Sequence, residues 1–361
     1  MKFTVIVARF AITGVPLAQM RMASSLAARG HKVDLVIGFV ADGLTVQTLD
    51  GVSIIILDKP KARNLLAPLI QYFRKAKPDV IFSAEDHLNA IVIASAILSG
   101  SKAKISGSSR VNPFDTYSTK IFSKRWFLKK IMGALMWRAN VLTCVSKAMV
   151  DQYQTLFRNA PHVCVYNIVD TPAAHARIAE PVDHPWFNDP TIPILVAAGQ
   201  LGPWKGFFDL ISAVHIVSQK QPVRLSIFGE GAQRAELQAL IDRLGMSKSI
   251  TLEGHVTNPL KYFAHANIFV LSSLLEGMPN VLIEAMMAGC TPVATDCPTG
   301  PREILESGRY GYLVPVQDPQ ALAAGIESAL REPVPAEIMA EAIKPFQEEA
   351  VLAEHFRLLG I

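Results

Sequence analysis

Two glutamates, Glu276 and Glu284, stand with seven residues between them at the ends of the stretch EGMPNVLIE. Pro279 suits the start of a helix, where its missing N–H costs nothing, and Asn280 is a candidate cap. The helical stretch that follows closes at Gly289. Its backbone N–H groups and the positive end of its macrodipole then face the loop 276–279, which is a place for an anion. Carboxylates are out of keeping with an anion site unless they hold something else, such as hydroxyl groups. A sugar diphosphate satisfies both demands, with phosphates on the N–H groups and sugar hydroxyls on the acids. The plainer alternative is a buried strand–helix–strand unit whose two acids lie at the surface.

Stepping outward, residues 268–271 and 291–295 are short apolar, β-branched runs that frame this helix as strands. A strand at 194–198 runs into Gly199-Gln200-Leu201-Gly202-Pro203-Trp204-Lys205-Gly206, where a lysine between glycine-rich backbone and a helix start can reach a phosphate. A solvated loop lysine is the rival reading. Further strands at 225–228 and 250–253 lead into Gly229-Glu230-Gly231 and Gly254-His255-Val256. Gly-Glu-Gly also makes an ordinary turn before a helix at 233–244.

The front half opens in the same style. A strand at 2–8 is followed by a loop at 9–16 containing Gly14, a helix at 17–28 and a strand at 31–38. That loop has no G-x-G-x-x-G, which removes most support for a nicotinamide-dependent dehydrogenase. Strands at 54–57, 80–83 and 105–109 follow, and strands at 141–145 and 163–166 finish the half. Glu85-Asp86-His87 and Arg110 fall at strand exits, where α/β sheets place ligand groups. The polar triplet 85–87 reads equally well as a helix cap.

The second half resembles the family 4 glycosyltransferases. Glu276 through Glu284 is similar to their E-x7-E motif, and EGMPNVLIEAMMAG with the trailing DCPTGPREI follows it closely. The 199–206 loop looks like their G-R-L-x-x-x-K-G, with Lys205 in place and Gln200 at the arginine position. The resemblance covers residues 196–316 and implies the GT-B fold, two facing Rossmann-like α/β domains with a cleft between them. It also implies transfer with retention of anomeric configuration, Glu276 orienting donor sugar hydroxyls and supporting the reacting centre, and Glu284 gripping the ribose. Backbone at His255 and Val256 would hold the nucleobase, and Gly229 to Gly231 would lie by the phosphates.

The donor-binding set that follows is Gly199, Gln200, Lys205, Gly229, Glu230, His255, Val256, Glu276, Gly277, Met278, Asn280, Val281 and Glu284, with Glu276 and Lys205 the catalytic pair. In the front half, Gly14 keeps one glycine of the family's usual pair, and Arg110 stands where relatives carry a histidine. Gly14, Asp86, His87 and Arg110 are the acceptor-side candidates. No Asp-x-Asp occurs in the chain, so neither a metal nor another cofactor is expected.

The 361 residues suffice for two domains, here expected at 1–180 and 194–340. A stiff linker at 181–193 joins them, and a terminal helical piece at 341–361 should cross back to the first. Half of the residues are hydrophobic and 18% charged, which excludes a disordered or fibrous chain. Without a run of about 18 apolar residues or a signal-like start, the expected location is the cytoplasm, with a peripheral place on the inner face of the plasma membrane as the further reading. The four cysteines show no metal-ligand spacing and read as reduced thiols.

Charge is divided unevenly: residues 1–180 hold 23 Lys and Arg against 11 Asp and Glu, or +12, and the remainder 12 against 20, or −8. A basic front half points to an anionic partner. Between 116 and 150 there is no acid, while Lys120, Lys124, Arg125, Lys129, Lys130, Arg138 and Lys147 interleave with Phe122, Trp126, Phe127, Ile131, Leu135 and Trp137. Such a mixture suits the interface of an anionic bilayer, and an ordinary core helix with a basic wet side fits it as well.

The expected activity is thus transfer of a hexose or N-acetylhexosamine from a nucleotide sugar, by base rate UDP-linked, to a lipid-linked or glycan acceptor in bacterial surface polysaccharide or glycoconjugate synthesis. A nucleotide-sugar epimerase of similar fold is the nearest rival, and a non-enzymatic anion or nucleic-acid binder is the other alternative. A glycoside hydrolase fits poorly, because its acids must flank a bond across a cleft. A nucleic-acid partner is not expected, since it leaves Glu276, Glu284 and Lys205 without a role.

Overall fold

The computed structural model describes residues 1–11, 13–157, 161–189 and 191–361. The chain divides into two units, Met1–Ile168 with Glu348–Ile361, and Val169–Gln347. Each is built on one wholly parallel sheet.

The front unit carries β1 (Lys2–Phe10), β2 (Lys32–Val40), β3 (Val52–Ile56), β4 (Val80–Ala84), β5 (Lys104–Ser109), β6 (Val141–Cys144) and β7 (His162–Cys164), in the order β3-β2-β1-β4-β5-β6-β7. Helices cover both faces of such a sheet, so its inner strands are apolar along their whole length. Leu35, Val36 and Ile37 are buried in succession on β2, as are Val5, Ile6 and Val7 on β1. The strand order reverses between β1 and β4, which opens a crevice at their carboxyl ends.

The rear unit repeats the plan with β8 (Ile194–Ala198), β9 (Arg224–Phe228), β10 (Ile250–Gly254), β11 (Ile268–Leu271), β12 (Thr291–Thr295) and β13 (Tyr312–Val314), in the order β10-β9-β8-β11-β12-β13. Its reversal falls between β8 and β11. The loops that leave these two strands are 199–206 and 272–279, the stretches that carry Lys205 and Glu276.

The structure differs from the local expectations at two places. The front helix begins at Gly14 and runs to Ala28, so that Gly14 and Pro16 lie in its first turn; Ile12 of the expected loop lies outside the described residues. The segment 181–193, expected as an extended linker, belongs to the rear unit, as do residues 169–180, expected in the front domain. Thr171 caps a helix at Pro172–Ile178, where Thr171 Oγ1 accepts from the Ala174 N–H at 3.1 Å. Arg177 then donates to the Thr257 carbonyl at 2.7 Å, and Asn258 donates back to that of Arg177 at 2.8 Å. His184 and buried Phe187 pack their rings against Tyr262. Aromatic burial thus outweighs the stiffness that the prolines suggest; Pro190 itself lies outside the described residues.

The unit boundary is fixed where Val169 and Asp170 donate to the Phe346 carbonyl at 3.0 and 3.1 Å, beside the point at which the chain leaves the rear unit again. The last helix, Glu348–Leu359, lies in the front unit. Apolar contact rather than charge does most of this: Val351, Leu352 and Leu359 join the front core. Glu354 pairs within its own helix with Arg357 at 2.6 Å. Lys104 Nζ finishes the helix by donating to the carbonyls of Leu359 and Gly360 at 2.6 and 2.9 Å.

Candidate active site

Lys205 and Glu276 meet in the rear unit. Lys205 Nζ lies 2.5 Å from Glu276 Oε1, with side chains 16% and 12% exposed. Two strand exits supply the partners. Ser273 Oγ also donates to Glu276 Oε1, at 2.6 Å, and the Thr299 hydroxyl donates to the Glu276 carbonyl. Ser272 Oγ donates to the Lys205 carbonyl at 2.8 Å, and the Leu274 N–H to that of Trp204 at 2.8 Å. The two loops are therefore tied together on either side of the pair.

Glycine is required at their crossing. Gly206 has φ of 64°, and a Cβ there would stand 2.0 Å from the Ser272 carbonyl oxygen. Gly229 has φ of 142°, and its Cβ would stand 1.9 Å from the Gly199 carbonyl oxygen. The Lys205 stem lies over Gly199, where a Cβ would come 3.1 Å from Lys205 Cε. The Leu201 N–H donates to the Glu230 carbonyl at 2.9 Å, and the Gly229 N–H to that of Gly254 at 2.8 Å, next to His255. Backbone from the ends of β8, β9, β10 and β11 thus converges on one patch, and this convergence is the consequence of their being neighbours in the sheet.

The helix behind Glu276 is Asn280–Met287. Pro279 occupies the capping position, with φ −75° and ψ 88° and no side-chain cap. The expected cap, Asn280, is instead the first helical residue. Glu284 lies in the second turn of the helix. It is half-buried, like Gly277, Asn280 and Val281, while Met278 is buried. Burial and the nearby Glu276 charge push the Cys297 thiol up to about 12, so this sulfur is no nucleophile. Gln200, at the position where an arginine is expected, is exposed. His255 is exposed and Val256 half-buried. Glu230 pairs with Arg234 at 2.9 Å, and Arg234 also donates to the Leu252 carbonyl at 2.9 Å.

The front-unit candidates separate into two kinds. Asp86 is 2% exposed and accepts from Ser109 Oγ at 2.7 Å and from the Tyr153 hydroxyl. Its expected place on a ligand face is corrected by this geometry: the carboxyl is an internal anchor, with its acidity weakened by burial. Arg110 donates to Asn167, its buried Nε has no hydrogen-bond partner, and burial lowers it to about 10 despite the opposing Glu85 charge. Glu85, at φ 78°, has a carboxyl raised by burial and held in check by His87 and Arg110. His87 is exposed, with Nε2 3.8 Å from Glu85 Oε2.

Gly14 lines a cavity of about 310 Å³ together with Arg9, Thr13, Gln19 and Glu85. A Cβ at Gly14 would meet no atom within 4 Å, so packing does not demand the glycine. Gln19, whose buried Oε1 is unpartnered, escaped the sequence reading, because a glutamine on a helix carries no signal of its own. Ser273 and Thr299 escaped it too, although they flank the motif, because their value lies in hydrogen bonds that spacing does not reveal.

Among the described residues no group of three or more His, Cys, Asp or Glu side chains is placed to hold a metal ion. None of the helices is long and apolar enough to cross a membrane, among the described residues.

Residues 183–346 match the family model of glycosyl transferases group 1. An uncharacterized glycosyltransferase of Methanocaldococcus jannaschii is 31% identical over 277 residues, 70% of this chain and 66% of that protein. A Campylobacter jejuni enzyme, N-acetylgalactosamine-N,N'-diacetylbacillosaminyl-diphospho-undecaprenol 4-alpha-N-acetylgalactosaminyltransferase, is 28% identical over 236 residues, 64% of this chain and 62% of the enzyme. The matched part of the chain thus spans just under two thirds of each relative's length. Among solved structures, Anabaena HepE in complex with UDP and glucose is similar with a TM-score of 0.77 at 18% identity, over 100% of this chain and 99% of that one. This likeness gives the fold, two parallel-sheet α/β domains of the GT-B type, and the matches together support a glycosyltransferase superfamily.

Proposed function

On the premise of that superfamily, we propose that the chain transfers a hexose or N-acetylhexosamine from a UDP-sugar to a lipid-linked or glycan acceptor with retention of configuration. The observation that carries the reading is the Lys205–Glu276 pair, held at 2.5 Å where the loops leaving β8 and β11 interlock. Support for the donor comes from UDP in the HepE complex, and for a lipid-linked acceptor from the diphospho-undecaprenol in the Campylobacter enzyme's name. Bacterial surface polysaccharide or glycoconjugate synthesis is the setting that such acceptors suit. Four free cysteines suit the cytoplasm, where nucleotide sugars are made.

In this reaction a bond forms between an acceptor hydroxyl oxygen and C1 of the sugar, while the bond from C1 to the β-phosphate oxygen breaks. The hydroxyl proton leaves with the departing phosphate on the same face. Charge grows on the diphosphate, and in this proposal Lys205 and the amino end of the Asn280–Met287 helix stabilise it, with no metal in the scheme. Glu276 orients sugar hydroxyls and offsets positive charge at C1; Glu284 holds the ribose. Backbone near His255 and Val256 borders the base. Arg110, Gly14 and His87 lie on the acceptor side in this proposal.

Product analysis tests it directly. Incubation with a UDP-sugar and a lipid-linked glycan acceptor should give UDP and a glycosylated lipid, with the new anomer matching that of the donor. Free sugar, or an epimerised nucleotide sugar formed without acceptor, would overturn it.

A further inference from the structure

The segment 111–138 of the front unit carries much of the molecule's exposed apolar surface. Phe122 is 80% exposed, Trp137 73% and Ile121 62%. Soluble surfaces do not usually gather side chains of this size without use. Phe122 also has a left-handed backbone, φ 63°, an unfavourable conformation for a bulky residue, at the turn that precedes Ser123. Ser123 caps the helix Lys124–Leu135, accepting from the Trp126 N–H at 3.1 Å. Phe127 and Ile131 are exposed one turn apart on that helix and so share a face.

Cations surround this apolar ridge. Lys120, Lys124, Arg125 and Lys130 are exposed, and Arg125 donates to the Phe114 carbonyl, tying the helix to the preceding short turn. Lys130 Nζ lies 5.4 Å from the Trp126 ring centre. No acid occurs between residues 116 and 150.

We propose that this ridge docks the protein on an anionic lipid surface, with Ile121, Phe122 and Trp137 entering the headgroup region and the lysines resting on lipid phosphates. The assignment does not rest on the transferase reading. Two features select this occupant. A second copy would set lysines against lysines across a twofold axis, and like charges repel. A nucleic acid would use cations and aromatic faces but has no use for exposed Ile121 and Ile131. An anionic bilayer takes cations, aromatic rings and aliphatic tips together.

The test is flotation of the full chain with vesicles of phosphatidylcholine alone and of equal parts phosphatidylcholine and phosphatidylglycerol at physiological salt. The expected result is flotation with the anionic vesicles only, reversed by added salt. Phe122→Ser with Trp137→Ser, which leaves the charge unchanged, should weaken partition roughly tenfold or more. Lys124→Gln and Lys130→Gln should each weaken it about fivefold. All four side chains are exposed, so an unchanged melting temperature in each variant certifies the fold. Equal flotation with neutral vesicles, or none with either, overturns the proposal. So does apolar-variant binding equal to the parent's. Loss of self-association, or of binding to a single-stranded oligonucleotide, in variants of a chain that ignores vesicles would assign the ridge to those partners instead.

Discussion

The contact between Lys205 Nζ and Glu276 Oε1 uses only part of what the ammonium can donate, and the remaining N–H groups are available to a diphosphate. Ser273 shares the same carboxylate oxygen, so in the proposed reaction Glu276 Oε2 is the atom that would meet a sugar hydroxyl. Exchange of this carboxylate for a carboxamide keeps the shape but removes the negative charge that, in the proposed reaction, offsets a positive reacting carbon. Glu276→Gln is therefore expected to lower kcat by roughly 100-fold while KM for the nucleotide sugar changes little, since the interaction is made mainly in the transition state. Steady-state kinetics decide this, and a raised KM with normal kcat would move Glu276 to a binding role. Gln200 invites the opposite experiment. It is exposed at the position where the resembled motif has arginine, and Gln200→Arg should tighten UDP binding about tenfold through one added charge-assisted hydrogen bond. Titration calorimetry with UDP reads the change.

At the level of loops and helices, the site depends on the meeting of two strand exits, and Gly206 is where they cross. A Cβ 2.0 Å from the Ser272 carbonyl cannot be accommodated, so Gly206→Ala should cost about 2–4 kcal/mol in chemical denaturation and displace Lys205. This arrangement was largely legible in the sequence. Runs of β-branched residues gave the strands 194–198, 268–271 and 291–295, and glycines with a lysine and two glutamates marked the loops between them. Less legible was whatever depends on contacts across the chain. Asn280 looks like a cap because its type is right, yet Pro279 holds the capping position. Asp86 reads as a ligand because it follows a strand, but Ser109 and Tyr153, distant in sequence, draw it inside. The proline-rich stretch reads as a strut until Tyr262 supplies a ring for His184 and Phe187.

At the scale of the molecule, the returning helix Glu348–Leu359 makes the front unit discontinuous in sequence. It also brings a buried histidine. Burial, with the Arg110 charge adding to it, lowers His355 from 6.5 to about 3, and burial alone lowers His162 from 6.5 to about 4. Both rings are neutral when folded and protonate more readily when unfolded. Their contribution to stability is therefore complete above pH 6.5 and is lost as pH falls toward those lowered values, by at most ~1.4 kcal/mol per pH unit for each ring. Melting temperature should fall below pH 6.5, and His355→Phe should flatten that fall if the variant folds; an equally steep profile would assign the loss to other groups. Leu352 is wholly buried in the same helix, and Leu352→Ala should cost about 2–5 kcal/mol in denaturant unfolding.

The central claim is that the rear unit gathers a nucleotide diphosphate against Lys205 beside Glu276. Calorimetric titration of the parent chain and of Lys205→Ala with UDP, GDP and ADP addresses it most directly. The expected result is binding of one nucleotide, UDP first among them, weakened at least about tenfold in the variant, the loss of one charged contact to phosphate. Binding of none of the three by the parent, or equal binding by both proteins, contradicts it.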